Sequence, residues 1–272
     1  MREDPVIIVG MHRSGTTILA KLLSECGLFI GKKLDTHNEA IFFKSLNDRV
    51  LHIAHTYWDN PLNIEHLFSN KRTSGAVEIE MRKVVSGKDF LFDYVGWENT
   101  LKFFRNPFFS WGWKEPRTTV TLPLWLSIFP KAKIIYVYRN GIDVANSLTE
   151  REKKRIGSIN SPFFSLRCLN LMESFHLWEE YNRMLIEHLS LFPDVPVHKI
   201  RYEDLIDNPK ERLRDMLEFI GLPCKSRQLS KCTTAINKNR MYSFINDHSL
   251  LDFYKANKDT DLMVKLKYDN II

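Results

Sequence analysis

Residues 10–17 combine glycines, hydroxyl side chains and an arginine in a form that suits the binding of a phosphate. The segment reads Gly-Met-His-Arg-Ser-Gly-Thr-Thr and stands between the apolar run Val6–Val9 and a stretch with helical periodicity. A loop between a strand and a helix points backbone N–H groups and the positive end of the helix dipole at one anion. We therefore predict a phosphate-binding loop, with contacts from Arg13, Ser14, Gly15, Thr16 and Thr17.

This loop lacks the lysine that nucleoside-triphosphate loops place directly after their second glycine. Thr16 follows Gly15, and the one cation nearby is Arg13, inside the loop. The missing lysine normally reaches the β- and γ-phosphates. The pattern thus disfavours transfer of a γ-phosphate. A P-loop kinase of nucleotides or small molecules, and a nucleotide-binding protein without catalysis, remain as alternative functions.

A second group of polar residues follows a strand candidate in the middle of the chain. Lys133–Tyr138 is apolar and β-branched almost throughout, which is typical of a strand covered on both faces of a parallel sheet. Arg139 follows this strand, and Ser147 lies eight residues later, in a helix that begins at Gly141 or Asp143. Both side chains are suited to a second anion.

Strand and helix patterns alternate along the chain. Further strands are predicted at residues 111–114 and 195–200, and helices at residues 18–26, 41–54, 75–86, 118–129, 166–189 and 213–220. The alternation predicts an α/β fold with a central parallel sheet. Ligands of such sheets bind beyond the carboxyl ends of the strands. Gly10, Lys114, Arg139 and Arg201 each follow a predicted strand, so we expect them at one edge. The aromatic-rich residues 90–113 have no clear secondary structure.

The bulk composition narrows the class of protein further. The chain has 272 residues, 44% of them hydrophobic, and no Pro/Gly/Ser-rich linker, which predicts one domain over residues 1–272. No apolar run approaches the ~20 residues of a membrane span, and the first strand begins near residue 6, so we expect a cytoplasmic protein. The net charge of +6 accompanies no zinc-finger or RNA-recognition pattern, which disfavours nucleic acid as a partner. The sequence does not indicate an oligomeric state.

The two anion-binding segments together resemble those of the sulfotransferases that use 3′-phosphoadenosine 5′-phosphosulfate (PAPS). In that family the first segment holds the 5′-phosphosulfate, and residues 13–17 match it as Arg-Ser-Gly-Thr-Thr. The second holds the 3′-phosphate through an arginine and a serine eight residues later, matched by Arg139 and Ser147. The resemblance implies a P-loop NTPase-like fold, with a central parallel β-sheet flanked by helices on both faces. It also implies transfer of a sulfuryl group from PAPS to a hydroxyl group.

Other segments extend the resemblance over roughly residues 6–220, toward the bacterial and Golgi-type branches that include the carbohydrate and tyrosylprotein enzymes. Trp-Lys-Glu-Pro at residues 113–116 looks like a lysine-acid-proline segment of those branches, which implies a place for Lys114 near the sulfuryl group. Arg-Tyr-Glu-Asp-Leu at residues 201–205 looks like the segment whose tyrosine, here Tyr202, helps to hold the nucleotide. Lys238 and Arg240 lie where the family often places a further cation for the 3′-phosphate.

A hydroxyl acceptor also needs a base. The tyrosylprotein-type enzymes place a catalytic glutamate after the first helix, and Glu39 has that position here, with His37 and Asp35 as rivals. Arg13 and Lys114 are the candidate cations for the transferred group. No metal is expected, because the buried strand ends at Arg139 and not at an acid. The acceptor implied is a sugar, a glycan or a small molecule, and no signature selects among them.

Overall fold

A four-stranded parallel sheet lies at the centre of the fold, in the order β2-β1-β3-β4. The computed structural model describes residues 4–106, 109–158, 163–223, 229–230 and 240–272. Every neighbouring pair of strands is parallel, so the carboxyl ends of all strands meet at one edge. The predicted α/β class with a parallel sheet is therefore confirmed. The strands are β1 (Val6–Val9), β2 (Gly112–Lys114), β3 (Lys133–Tyr138) and β4 (Val197–Arg201).

Helices connect and cover these strands. Those that matter most for the site are α1 (Thr16–Glu25), α2 (Ile41–Ile53), α6 (Thr118–Ile128), α7 (Gly141–Lys153), α8 (Leu171–Ser190) and α9 (Tyr202–Asp207). The others are α3 (Ile64–Ser69), α4 (Lys71–Ser86), α5 (Trp97–Arg105), α10 (Pro209–Ile220), α11 (His248–Asn257) and α12 (Asp261–Lys265). Among the described residues, none of these helices has the length and apolarity needed to cross a membrane.

The two faces of the sheet belong to two separate hydrophobic cores. Ile7 and Ile134 point into one core, together with residues of α2, α6, α7 and α8. Ile8 and Ile135 point into the other, against α1 and α10. Because alternate residues of a strand face opposite sides, a strand buried on both faces must be apolar where it is buried, as β1 is throughout and β3 is after Lys133. Helices on both faces of the sheet are thus confirmed.

Two segments have secondary structure that the sequence patterns did not predict. Residues 90–113, which gave no clear pattern, contain a π-helical turn at Phe90–Val95 and the helix α5 before β2 begins. There Phe90 packs edge-on against Trp111 at 5.4 Å between ring centroids, and Tyr94 against Phe43 at 5.1 Å, so contacts between segments override the local pattern. The basic run 151–155 begins inside α7, which continues to Lys153.

Gly10, between β1 and the loop, tolerates no side chain. Its φ is +147°, and a Cβ atom there would lie 2.2 Å from the carbonyl oxygen of Val137 in β3. We expect Gly10→Ala to lower the free energy of unfolding by more than about 2 kcal/mol in chemical denaturation, because backbone must move. Gly75→Ala is the control, since a Cβ atom there meets nothing within 4 Å. A similar loss in both variants would contradict the clash.

Candidate active site

The segment 10–17 forms a tight loop between β1 and α1. Arg13 and Gly15 both have positive φ angles, of 69° and 94°, and α1 begins directly after Gly15. The ring of Tyr202, at the start of α9, fills the place that a Cβ atom on Gly15 would take, at 2.2 Å. The hydroxyl of Ser14 is buried and has no hydrogen-bond partner. The loop therefore holds backbone and side-chain donors around a place that a ligand can complete.

Arg13 connects this loop to the second segment predicted to bind an anion. Its Nε donates to Ser147 Oγ at 2.9 Å, across 134 residues of sequence. Arg139 Nη1 donates in turn to the carbonyl oxygen of Arg13 at 3.3 Å. The two segments thus form one continuous surface. Beside it lies the arginine cleft, a cavity of about 450 Å³ lined in part by Arg13, Arg139, Ser147, Arg151, Arg155 and Arg240.

Arg139 is held from several sides. Its Nη2 donates to Asp143 Oδ2 at 3.2 Å and also to the carbonyl oxygen of Arg240. Its guanidinium lies 4.7 Å from the ring centroid of Tyr202, while its Nε is buried without a partner. Asp143 is a positioning residue that our sequence reasoning missed as a site residue. The available signal was its i+4 spacing from Arg139 at the start of a helix.

Lys114, the last residue of β2, is fully buried beside Glu39. Its Nζ lies 3.2 Å from Glu39 Oε1 and 3.3 Å from Thr17 Oγ1. Burial lowers the pKa of the Lys114 ammonium, and the charge of Glu39 opposes that shift. The structure therefore brings together the predicted lysine, the predicted glutamate and the loop predicted to bind phosphate, although 97 residues separate Lys114 from Thr17.

A second lysine holds the other oxygen of the same carboxylate. Lys44, on α2, donates to Glu39 Oε2 at 3.2 Å and to Asp35 Oδ2 at 2.7 Å. Burial disfavours the Lys44 ammonium, yet the hydrogen bond to Asp35 and the charge of Glu39 raise its pKa overall. Sequence reasoning did not select Lys44, because nothing in its helical position distinguishes it from a surface lysine.

Glu39 lies on the boundary between two cavities. The loop cleft, of about 400 Å³, is lined by loop residues together with Lys114, Arg139, Tyr202 and Arg240. The side cavity, of about 570 Å³, is lined by Lys44, Trp58, Arg117, Arg155 and Phe163 among others. Five residues line both of them: His12, Arg13, His37, Glu39 and Arg151. A group that passes from one cavity to the other must therefore pass these side chains.

His12 is the member of this boundary that sequence reasoning missed altogether. Its ring packs edge-on against Trp58 at 5.1 Å, and its Nε2 is buried without a partner. Burial, together with the charges of Arg151, Arg117, Lys114 and Lys44, holds the pKa of His12 well below its usual value. The imidazole is thus neutral at pH 7.

The two rivals of Glu39 have different surroundings. Asp35 accepts hydrogen bonds from Lys44 and from the backbone N–H groups of His37 and Glu39. Although burial opposes this, those hydrogen bonds hold the pKa of the Asp35 carboxyl well below its usual range. His37 is exposed and lines both cavities. The geometry leaves Glu39 and His37 as the groups nearest the boundary.

The last predicted cations have different positions. Arg240 is exposed and lines both the arginine cleft and the loop cleft. Lys238 lies outside the described residues. Arg201, expected at the same edge of the sheet, points instead to Tyr242 and lies over the ring of Tyr268. The carboxyl ends of the other strands converge as predicted, whereas this side chain turns away.

The site is strongly cationic. Burial and then the charges of Arg151, Arg240 and Arg139 lower the pKa of Arg13, so four guanidinium groups lie close enough to repel one another. Such a cluster is stabilised by a bound polyanion. Within the described ranges, no three His, Cys, Asp or Glu side chains group in a way that suits a metal ion.

Comparison with known proteins identifies similar chains. A family model described as "Sulfotransferase family" matches residues 5–226. An uncharacterized protein of Aquifex aeolicus is 25% identical over 250 residues, which cover 84% of this chain and 26% of that protein. An omega-hydroxy-beta-dihydromenaquinone-9 sulfotransferase of Mycobacterium bovis is 23% identical over 260 residues, which cover 81% of this chain and 63% of the enzyme. The chain thus spans less than two-thirds of the length of either relative.

The solved structures add a likeness of fold. A sulfotransferase domain from the curacin biosynthetic pathway superposes with a TM-score of 0.50 and 18% identity, covering 94% of this chain and 92% of that domain. At this level of identity the likeness concerns the fold alone. It agrees with the parallel sheet flanked by helices described above.

Proposed function

Because this chain belongs to the sulfotransferase family, we propose that it transfers a sulfuryl group from PAPS to a hydroxyl of a sugar, a glycan or a small molecule. The observation that carries the proposal is the contact of Arg13 with Ser147 and Arg139. It joins a loop suited to one phosphate with a second anion site, as a nucleotide with 5′ and 3′ charges requires. A triphosphate, in contrast, needs a cation directly after Gly15, where Thr16 stands.

The polar atoms that have no protein partner support this choice of donor. Ser14 Oγ, Arg139 Nε and Arg151 Nη2 are buried and make no hydrogen bond in the described structure. Buried polar groups are nearly always paired. Arg139 and Arg151 line both the arginine cleft and the loop cleft, so their unpaired atoms point to a ligand with acceptor oxygens, whereas Ser14 belongs to the loop without lining either cleft. In our proposal residues 13–17 hold the 5′-phosphosulfate, and Arg139, Ser147 and Arg240 hold the 3′-phosphate. Tyr202 packs beside the loop and supports the nucleotide. Lys238 is proposed as a further cation on sequence grounds alone.

The chemical step needs a base and a positive environment. The acceptor oxygen forms a bond to sulfur while the bond from sulfur to the bridging oxygen breaks, so that adenosine 3′,5′-bisphosphate leaves and the hydroxyl proton goes to the base. Glu39 is the proposed base, since its carboxylate lies where the two cavities meet. Lys114 is the proposed donor to the sulfuryl oxygens, because its Nζ lies between Glu39 and Thr17. Arg13 adds a second cation from the loop.

The two lysines contact different oxygens of the Glu39 carboxylate. Lys114 lines only the loop cleft and contacts Oε1, whereas Lys44 contacts Oε2 and lines only the side cavity. Lys44 therefore orients Glu39 from the side on which we place the acceptor. Lys44 is itself held by Asp35, so it limits the rotation of the Glu39 carboxylate. A carboxylate with a fixed orientation favours a fixed direction of proton transfer.

Nucleotide selectivity gives the direct test of this proposal. Adenosine 3′,5′-bisphosphate should raise the midpoint of thermal unfolding without magnesium, because a ligand that binds the folded state stabilises it. ATP should raise it much less, with or without magnesium. A nucleotide kinase predicts the reverse order. No stabilisation by the bisphosphate, together with no sulfation of any acceptor from radiolabelled PAPS, would contradict the proposed function.

A further inference from the structure

The charged groups that line the side cavity are mostly cations. Twelve described residues line it, and ten of them are polar or charged. Five of the twelve are Lys or Arg, against two carboxylates, Asp35 and Glu39. Among the described lining residues, Trp58 and Phe163 have apolar side chains, and the guanidinium of Arg151 lies 4.8 Å from the ring centroid of Trp58. The lining therefore offers many charged and polar groups to an acceptor.

The acids that pair with the guanidinium groups of Arg117, Arg151 and Arg155 do not line the side cavity. Arg117 donates to Glu115 at 2.7 Å and also to Asp48. Arg151 and Arg155 share Glu152, at 2.6 and 3.6 Å. The side chains of Glu115 and Glu152 have no solvent exposure, and neither lines the cavity. Because neither acid lines the cavity, the wall there presents guanidinium groups and not their carboxylates.

Two of these cations, Arg117 and Arg155, do not line the loop cleft. Arg13 and Arg151 do line it, where we place the phosphosulfate, and Lys44 is held by Asp35 and Glu39. Arg117 does not line the arginine cleft either, whereas Arg155 lines both the arginine cleft and the side cavity. Phe163 fixes this end of the cavity, with Arg117 5.9 Å from its ring centroid and its carbonyl oxygen 3.4 Å from Arg155.

We propose that the acceptor carries an anionic group in addition to its hydroxyl, either a carboxylate or a phosphate or sulfate ester, and that Arg117 and Arg155 bind it. This inference rests on the proposed function and names the class of its acceptor. An uncharged polyol offers these guanidinium groups no charge to bind, and an amine is repelled by them. Lys44 Nζ lies 5.4 Å from the centroid of the same Phe163 ring, so it adds a third cation at this end of the cavity.

Binding to the nucleotide-saturated protein tests this class directly. With adenosine 3′,5′-bisphosphate in the loop cleft, we would titrate glucose, glucuronate and glucose 6-phosphate by calorimetry. These probes share one ring and differ in charge. We expect at least one charged sugar to bind about tenfold or more tightly than glucose, on the scale of one charged hydrogen-bonding partner. Equal affinities, or no detectable binding of the charged sugars, would overturn the inference.

Variants test whether Arg117 and Arg155 cause the preference for a charged sugar. Arg155→Gln and Arg117→Gln should each remove most of the preference for the charged sugar, and raised salt should weaken it in the parent. Arg117 is buried between two acids and its variant is at risk of misfolding, so the partly exposed Arg155 carries the decisive comparison. Lys153→Gln is the matched control, since Lys153 is the last residue of α7, close to Arg155 in sequence, and does not line the cavity. A preference unchanged in Arg155→Gln would assign the anion to another site.

The two proposals fail in different ways. If the protein does not bind adenosine 3′,5′-bisphosphate at all, the proposed function fails and this inference with it. If the nucleotide binds and PAPS is turned over, but neutral acceptors are preferred, only the inference about the acceptor is wrong.

Discussion

Replacing Glu39 with glutamine is expected to lower sulfuryl transfer by roughly 10²-fold or more, the usual scale for losing a general base. The amide keeps the size of the side chain and one acceptor oxygen, but it cannot take the hydroxyl proton. Donor affinity should hardly change, because the residues proposed to hold the nucleotide are in the loop and around Arg139. Single-turnover transfer from PAPS, with donor affinity measured separately, would give both quantities.

The surroundings of Glu39 set the controls for this experiment. Both oxygens face lysines, so a loss of activity from a disturbed Lys114 or Lys44 must be separated from the loss of the base. Circular dichroism and the affinity for adenosine 3′,5′-bisphosphate serve that purpose. Glu80→Gln is a matched control, because it also removes a carboxylate that pairs with a lysine. Glu80 and its partner Lys83 are both exposed on α4. If Glu39→Gln keeps full activity while His37→Gln loses it, the base is His37.

Replacing Arg139 with alanine is expected to weaken the binding of adenosine 3′,5′-bisphosphate by about 1.5–3 kcal/mol, the range for a hydrogen-bonding partner that carries a charge. Arg139 is almost fully buried and is aligned by Asp143 and Tyr202 before any ligand arrives. Little side-chain entropy is therefore lost on binding, which favours the upper part of the range. Titration calorimetry at fixed salt concentration measures the change.

The nucleotide itself supplies the matched comparison for Arg139. Adenosine 5′-monophosphate lacks the 3′-phosphate, so Arg139→Ala should change its affinity far less than that of the bisphosphate. Equal losses for both nucleotides would mean that the substitution disturbs the loop, whose Arg13 carbonyl oxygen Arg139 contacts, and does not remove a 3′-phosphate contact. An unchanged affinity for the bisphosphate would remove Arg139 from the site. Arg105→Ala, on α5 and outside all three cavities, controls for the loss of one positive charge.

The parts of the fold that sequence reasoning predicted are those with a local cause. The apolar runs of β1 and β3 reflect burial on both faces of the sheet, and the loop between β1 and α1 follows from two glycines at fixed spacing. Residues 90–113 gave no pattern because their π-helical turn and α5 depend on rings packed from several segments. The single domain over residues 1–272, the cytoplasmic setting and the roles of the site residues remain predictions.

The candidate site also combines features with a local cause and features that depend on tertiary packing. The family resemblance, a loop predicted to bind phosphate, and the expectation that Lys114 and Arg139 meet at one edge of the sheet could all be obtained from the sequence, because parallel strands end on the same side. The pairing of Arg13 with Ser147, the contact of Lys44 with Glu39 opposite Lys114, and the guanidinium groups around a second cavity became visible only in the folded chain. Periodicity and spacing report on a residue's own segment. Which side chain from a distant segment faces it is set by how helices and loops pack on the sheet.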